Sequence, residues 1–236
     1  MLILAFDTTS DRGGAALYRG HECLASAAGD RNYSVTLFTA VDGLLERAGL
    51  RLRDVDLLAV ANGPGSFTGI RVGLAAAQGW AKALDRPARG ISVLAALAEE
   101  AQPRASVAVS ILDARRGEFY VGAFRREESS ASFAPAAAGG LLMKPAALGE
   151  YVEELARPGG PGGSVTCLGR SEEPVEPARA ALPASCEWQT VSGTLVHAIA
   201  RLALKAQASA KPFEAAELDA YYIRRSDAEM HWTEQN

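Results

Sequence analysis

Histidine, cysteine and lysine are scarce in this sequence of 236 residues, and each shortage removes a class of function. His21, His197 and His231 stand apart, and none has a second histidine at the helical spacing of hydrolytic metal sites. No zinc or iron centre is expected. Cys23, Cys167 and Cys186 form no CxxC pair and are odd in number, which fits a reduced cytoplasmic protein. Lysine occurs only at Lys82, Lys144, Lys205 and Lys211, and the formal net charge is −4, so the basic footprint of a chain that grips nucleic acid unaided is missing. Any RNA contact is expected to be shared with a more basic partner. Long apolar runs are missing too. The longest uncharged helical stretch, 72–81, is too short to cross a bilayer. Met1 to Phe6 runs straight into Asp7 with no basic leader or small-residue cleavage site, so it reads as a first strand and not as a signal peptide.

What is present is a globular composition, 48% hydrophobic and 22% charged, with enough apolar material for a core divided between two lobes. Short apolar runs at 2–6, 13–18 and 22–28, separated by polar turns, predict a three-stranded meander. From Ser34 the residues Leu37, Phe38, Val41, Leu44, Leu45 and Ala48 recur at helical spacing until Gly49. A buried strand follows at 55–61, then a helix over 68–84, a strand at 89–92 and a helix over 93–102. Pro103 marks the expected lobe boundary, giving lobes 1–103 and 104–236, with the final helix, 194–205, folding back toward the first lobe. The second lobe opens on a strand at 107–112. Its pattern of apolar strand, Asp113, polar turn, Gly117 and apolar strand echoes the pattern around Asp7 and Gly13, which predicts duplicated lobes. The stretches 127–140 and 158–163, rich in Ala, Pro, Gly and Ser, read as a loose connection and a loop flanking a helix near 145–156, and 227–236 as a poorly packed tail.

Candidate chemistry is thin. Gly63-Pro64-Gly65-Ser66-Phe67-Thr68-Gly69 lies between a strand and a helix, where backbone N–H groups could hold an anion. It lacks the lysine and hydroxyl residue of a Walker loop, having Ile70 and Arg71 there instead, so a turn for close helix–sheet approach is the better reading. Ser66 is not framed as a nucleophile elbow. No catalytic residue is assigned. Asp7, with Thr8 and Thr9, and Asp113 occupy equivalent strand ends, where an ATP-using actin-like kinase would hold metal and phosphate. Ala114, Arg115 and Arg116 are bulky where backbone must approach phosphate, so these are read as degenerate phosphate-loop positions. The arginine pairs 115–116, 125–126 and 224–225 are more often solvated surface than an RNA contact.

The helix over 68–84 carries charge only at Arg71 and Lys82 and has small residues on more than one face, so all its sides need cover. Thr36, Ala40 and Gly43 form a second small-residue stripe on the preceding helix. A partner interface is therefore predicted at Thr36, Ala40, Gly43, Gly69, Gly73, Ala76 and Trp80; burial of the same faces within one chain is the alternative.

Ile3-Leu4-Ala5-Phe6-Asp7-Thr8-Thr9, the run NGPGSFTGIRVG from Asn62 to Gly73, Ala77-Gln78-Gly79, Asp113 to Tyr120 and the closing Tyr222-Ile223-Arg224 together resemble the TsaB (YeaZ) family. The resemblance is close over the first half and thins between Glu127 and Val191. It implies an α/β actin-like, ribonuclease-H-like (ASKHA) fold in two lobes, each with a mixed sheet flanked by helices. It also implies a non-catalytic subunit for threonylcarbamoyladenosine formation next to the tRNA anticodon. Such a subunit pairs through its first two helices with the catalytic paralogue TsaD, is joined by the ATPase TsaE, forms a homodimer when alone, and meets tRNA only through the complex. No cofactor is implied for the isolated chain beyond weak nucleotide binding or a nucleotide site shared in the complex. TsaD-like proteins carry an HxxxH metal motif on helix one; the matching stretch, Asn32 to Phe38, has no histidine. The competing readings are a metallopeptidase of the glycoprotease type and an ASKHA small-molecule kinase.

Overall fold

The structure, a computed structural model, describes residues 1–29, 33–127, 132–136, 139–157, 164–171, 173–209 and 218–224. The loop 158–163, the tail 227–236, Asn32, Lys211, Arg225 and His231 lie outside the described residues.

β1 (Leu2–Asp7), β2 (Gly14–Arg19) and β3 (Glu22–Ala28) form the meander, followed by α1 (Tyr33–Arg47), β4 (Leu57–Gly63), α2 (Phe67–Leu84), β5 (Ala88–Ser92) and α3 (Val93–Ala101). The first sheet has the order β3-β2-β1-β4-β5. β2 runs antiparallel to β1, and β4 and β5 run parallel to it. Gly49, at φ 66°, takes the left-handed conformation that ends α1. Ser66 caps α2, its hydroxyl accepting from Gly69 N–H at 3.3 Å.

The second half repeats this plan. β6 (Val107–Asp113), β7 (Phe119–Arg126), β8 (Phe133–Pro135), β9 (Leu141–Met143), α4 (Pro145–Ala156), β10 (Val165–Arg170), α5 (Glu176–Ala180), β11 (Glu187–Val191) and α6 (Val196–Ser209) follow in turn. The order β11-β10-β6-β7-β8 mirrors the first sheet, with β9 also pairing with β7. Part of the stretch expected as a loose connection is therefore structured: Phe133 is buried in the core, and β8 extends the sheet edge. Composition hid this strand, because three residues with one aromatic give no period to read.

Strand alternation sorts the apolar residues into layers. Leu2, Leu4 and Phe6 of β1 join Leu58 and Val60 of β4 against α1 and α2. Ile3, Ala5, Ala16, Ala59 and Ala61 point the other way, into a core shared with α3, α6 and the second sheet. The alanines on that face let α6 lie close, with Ala198, Ala200 and Ala203 fully or almost fully buried. α6 packs on β1, β2, β4 and β5, while α3 packs on the strands of the second sheet. Ser110 of β6 ties this layer further, its hydroxyl donating to the Leu94 carbonyl at 2.8 Å. A cut at 103 thus separates stretches of chain, while the central core runs through both.

Candidate functional site

The two strand-end aspartates are built alike. Asp7 Oδ1 accepts from Thr9 N–H at 2.8 Å and from the Thr9 hydroxyl at 2.6 Å; Asp113 Oδ1 accepts from Arg115 N–H at 2.9 Å. Both are aspartate turns closed two residues on. The predicted echo is thus present at the level of hydrogen bonds and of whole sheets. What surrounds the two aspartates differs. Asp7, Thr8 and Thr9 are buried at 0%, 1% and 2% exposure, and one Asp7 oxygen has no hydrogen-bond partner. Asp113 is half-buried, and its N–H donates to the Glu173 carboxylate at 2.7 Å. Beyond it Arg115, Arg116 and Gly117 all have positive φ, at 62°, 57° and 72°, forming a tight turn closed by Ala114 N–H on the Glu118 carbonyl at 2.9 Å.

The Gly-rich loop before α2 serves close approach. A Cβ on Gly65 would sit 2.7 Å from Thr9 Cβ, and one on Gly69 would sit 1.9 Å from the Thr8 carbonyl oxygen. Ser66 N–H donates to the Thr9 carbonyl at 2.7 Å, and the Thr8 hydroxyl to the Gly69 carbonyl at 2.7 Å. The turn after β1 thus occupies the ground in front of α2.

Two features cross the joint between the sheets: Arg170, which the sequence reading did not single out, and the segment around the closing motif Tyr222-Ile223-Arg224. Arg170, 2% exposed at the end of β10, donates to the Ser10 hydroxyl at 3.1 Å and to the Gly193 carbonyl at 3.0 Å. The segment 218–224 forms a strap. Leu218 is buried in the α2-side core with its carbonyl held by Gln78 at 2.9 Å, and Tyr221 N–H donates to the Asn62 carbonyl at 2.8 Å. Ile223 then packs into the central core, and Arg224 donates to the Ala114 carbonyl at 2.8 Å and pairs with Glu118. A single buried arginine gives no periodic signal, and its partners Ser10 and Gly193 are distant in sequence, so only its end-of-strand position could have hinted at this role.

The predicted interface residues divide. Thr36, Ala40, Gly43 and Trp80 are partly exposed. Gly69, Gly73 and Ala76 are buried within the chain, which corrects their assignment to an outward face. A Cβ on Gly73 would lie 2.4 Å from the Thr8 hydroxyl oxygen and 3.2 Å from Val60 Cγ2, so these small residues admit the chain's own strands. The small residues that do face outward on α2 are Ala75, Gly79 and Ala83, and a Cβ on Gly79 would meet nothing within 4 Å. Beside them on α1 stand Val35 and Phe38, 67% and 49% exposed. Trp80 connects this surface to the core, its ring edge-on to Phe38 at 5.2 Å and to Phe6 at 5.5 Å. At the start of α2, Arg71 lies 3.8 Å over the Phe67 ring, which lies 5.0 Å from that of Tyr222.

The two described histidines stay apart. His21 is exposed, and His197 Nδ1 lies 2.8 Å from the Tyr18 hydroxyl. Among the described residues no group of three or more His, Cys, Asp or Glu is placed to hold a metal, and no helix is long and apolar enough to cross a membrane. Burial pushes the hydroxyl of Tyr33 up to about 12, with the nearby Asp7 carboxylate adding to the shift.

Residues 27–231 match the family described as TsaD, tRNA N6-adenosine threonylcarbamoyltransferase. The chain is 38% identical over 136 residues to the tRNA threonylcarbamoyladenosine biosynthesis protein TsaB of Haemophilus influenzae, covering 56% of this chain and 58% of that protein. It is 36% identical over 127 residues to the Bacillus subtilis protein of the same name, covering 53% and 56%. The chain thus spans little more than half the length of the curated relatives it matches. In structure it resembles YeaZ from Pseudomonas aeruginosa, with a TM-score of 0.76 at 25% identity over 94% of this chain and 99% of that one. With its doubled sheet topology, the chain belongs to the TsaD family and, within it, to the TsaB (YeaZ) group.

Proposed function

We propose that the chain takes part in threonylcarbamoyladenosine formation on tRNA as a non-catalytic, cytoplasmic docking subunit, with chemistry and metal supplied by a TsaD-type partner and an ATPase of the TsaE type joining the pair. One observation carries this reading: the surface left open is the outer face of α1 and α2, while the joint between the sheets is filled from within. Val35, Phe38, Ala75, Gly79 and Ala83 offer an apolar strip with little side-chain relief, suited to helices packing against helices. In front of α2, where an ASKHA kinase would seat phosphate, stand the buried Asp7–Thr9 turn and the Arg170 clasp. On this reading the chain alone forms a homodimer through the same face, tRNA is met through the assembly, and any nucleotide binds at a site shared with the partners.

The test is reconstitution. A TsaD-type subunit with its ATPase partner and tRNA is assayed with and without this chain, and with Val35→Asp and Gly79→Arg. Modification should depend on the chain, and each variant should weaken association with the TsaD-type subunit by about tenfold or more, a loss of about 1.4 kcal/mol. Undiminished association of both variants would reject the surface. Titration of the isolated chain with ATP and magnesium should show no tight binding; tight binding would favour the kinase reading.

A further inference from the structure

Cys167 and Cys186, 19 residues apart, meet on the outer side of the second sheet. Their sulfurs are 3.0 Å apart, closer than the roughly 3.5–4.0 Å at which unbonded heavy atoms usually pack. The sheet explains the encounter. β10 and β11 run parallel with Cys167 opposite Trp188, so Cys186, two residues before Trp188, shares a face with Cys167. Both are free thiols. Cys167 is fully buried and Cys186 is half-exposed. The two therefore differ in access: one can be reached from solvent, and the other can be reached only by its neighbour.

We propose that Cys167 and Cys186 form a reversible thiol–disulfide site, at which a small-molecule disulfide oxidises the pair and staples the edge strand β11 to β10. The Cys186 thiolate attacks a sulfur of the small disulfide; a new S–S bond forms, the old one breaks, and one thiolate leaves and takes up the proton that Cys186 released. Cys167 then gives up its proton and attacks the Cys186 sulfur. The internal S–S bond forms, the mixed bond breaks, and the second small thiol leaves carrying that proton. Two protein thiols are oxidised and one small disulfide is reduced to two thiols. The electrostatics match this order, since the hydrogen bond between the two sulfurs lowers the Cys186 thiol below its ordinary range, while the same bond and burial raise Cys167. The loop so closed carries α5 and the buried Ala178, so oxidation fastens the outer layer of the second half to its sheet.

The test uses the full chain with Cys23→Ser, which removes the exposed third thiol and leaves the pair untouched. The reduced protein is incubated with oxidised glutathione, quenched with an alkylating reagent in denaturant so that every free thiol is labelled, and mapped by mass spectrometry. Expected are a peptide joining Cys167 to Cys186, loss of both alkylation sites, full reversal by dithiothreitol, and a higher urea midpoint for the oxidised form. In Cys167→Ser, glutathione should remain trapped on Cys186. Should that variant fail to fold, Cys186→Ser, which alters only a half-exposed sulfur, serves instead: its Cys167 should resist both glutathione and alkylation until unfolded. Stable glutathione on Cys186 with Cys167 still alkylable, or no reaction at Cys186, would overturn the proposal.

Discussion

Gly73 and Gly79 lie on the same helix, six positions apart in number, and the structure gives them opposite meanings. Alanine at either gains about 0.8–1.0 kcal/mol of helix propensity, because glycine loses the most backbone freedom on folding. At position 79 nothing opposes that gain, since the added methyl meets no atom within 4 Å. At position 73 it would lie 2.4 Å from the Thr8 hydroxyl oxygen and 3.2 Å from Val60 Cγ2. Thr8 and Val60 are buried, and that hydroxyl donates to the Gly69 carbonyl at 2.7 Å, so it has no free direction in which to retreat. Overpacking of this kind costs about 1–3 kcal/mol, and losing the buried hydrogen bond adds roughly 1 kcal/mol. Gly79→Ala should therefore stabilise by about 1 kcal/mol and Gly73→Ala should destabilise by about 1–3 kcal/mol. With a melting shift of about 2–4 °C per kcal/mol for a chain of this size, thermal and urea unfolding of the isolated protein resolve the two. Equal stability of the two variants would refute the inward placement of Gly73, and with it the separation of fold-serving from surface-serving small residues on α2.

Other expectations follow from buried polar groups. Arg170→Lys keeps the charge but not the forked reach to Ser10 and Gly193, and should lower stability by about 1–3 kcal/mol, read as a drop in the urea midpoint. Glu99, 3% exposed, lies 3.2 Å from Arg201 and 3.0 Å from Lys205; Glu99→Gln, which removes the buried carboxylate that both cations share while Arg201 keeps Glu100 at 2.7 Å, should cost about 1–3 kcal/mol, and an unchanged midpoint would dismiss Glu99 as a stabilising contact. Tyr33, with a folded pKa of about 12 against an ordinary 10.0, stays protonated in the native state after the unfolded chain has ionised. Its contribution is complete below pH 10 and is lost as pH rises toward 12, so Tyr33→Phe should flatten the alkaline fall in stability by about 1–2 kcal/mol.

Legibility in the sequence followed burial. β1, β4 and β6 are buried on both faces and read as unbroken apolar runs, and α1 and α2 carry enough turns for a period to show. α5 has five residues and β8 and β9 have three each, too few for any period, so the second half was readable only in outline. The small residues of α2 marked close packing correctly but not its direction. Gly73 and Gly79 are chemically identical, and only the placement of Thr8 and Val60 tells which of them faces inward. The strap was visible as a motif, Tyr222-Ile223-Arg224, yet its partners Asn62, Gln78 and Ala114 are distant in sequence, and no local pattern encodes such contacts. For the same reason the meeting of Cys167 and Cys186 could not be read: spacing along the chain excludes a CxxC pair, and all three cysteines are free, yet adjacent strands bring these two sulfurs to 3.0 Å.

The doubled topology sharpens what differs between the halves. Each half ends in a helix that crosses to the other half's sheet, so α3 and α6 make one interior from two repeats. Hinge-like opening of that interior would have to break the Arg170 bonds to Ser10 and Gly193, withdraw Ile223 from the core and part Arg224 from Ala114 and Glu118. Each loss exposes or orphans a buried group, and together they exceed what weak ligand binding between the sheets could offset. A chain built this way is poorly suited to a cycle of closing on a ligand and opening again. Its outer helices pack on a sheet that the clasp and strap hold in one position, so Val35, Phe38 and Gly79 keep a fixed spacing without a partner. Preorganisation of that kind lowers the entropy cost of docking, which is the physical reason the proposed docking is sought on the outer face of α1 and α2 and not in the joint.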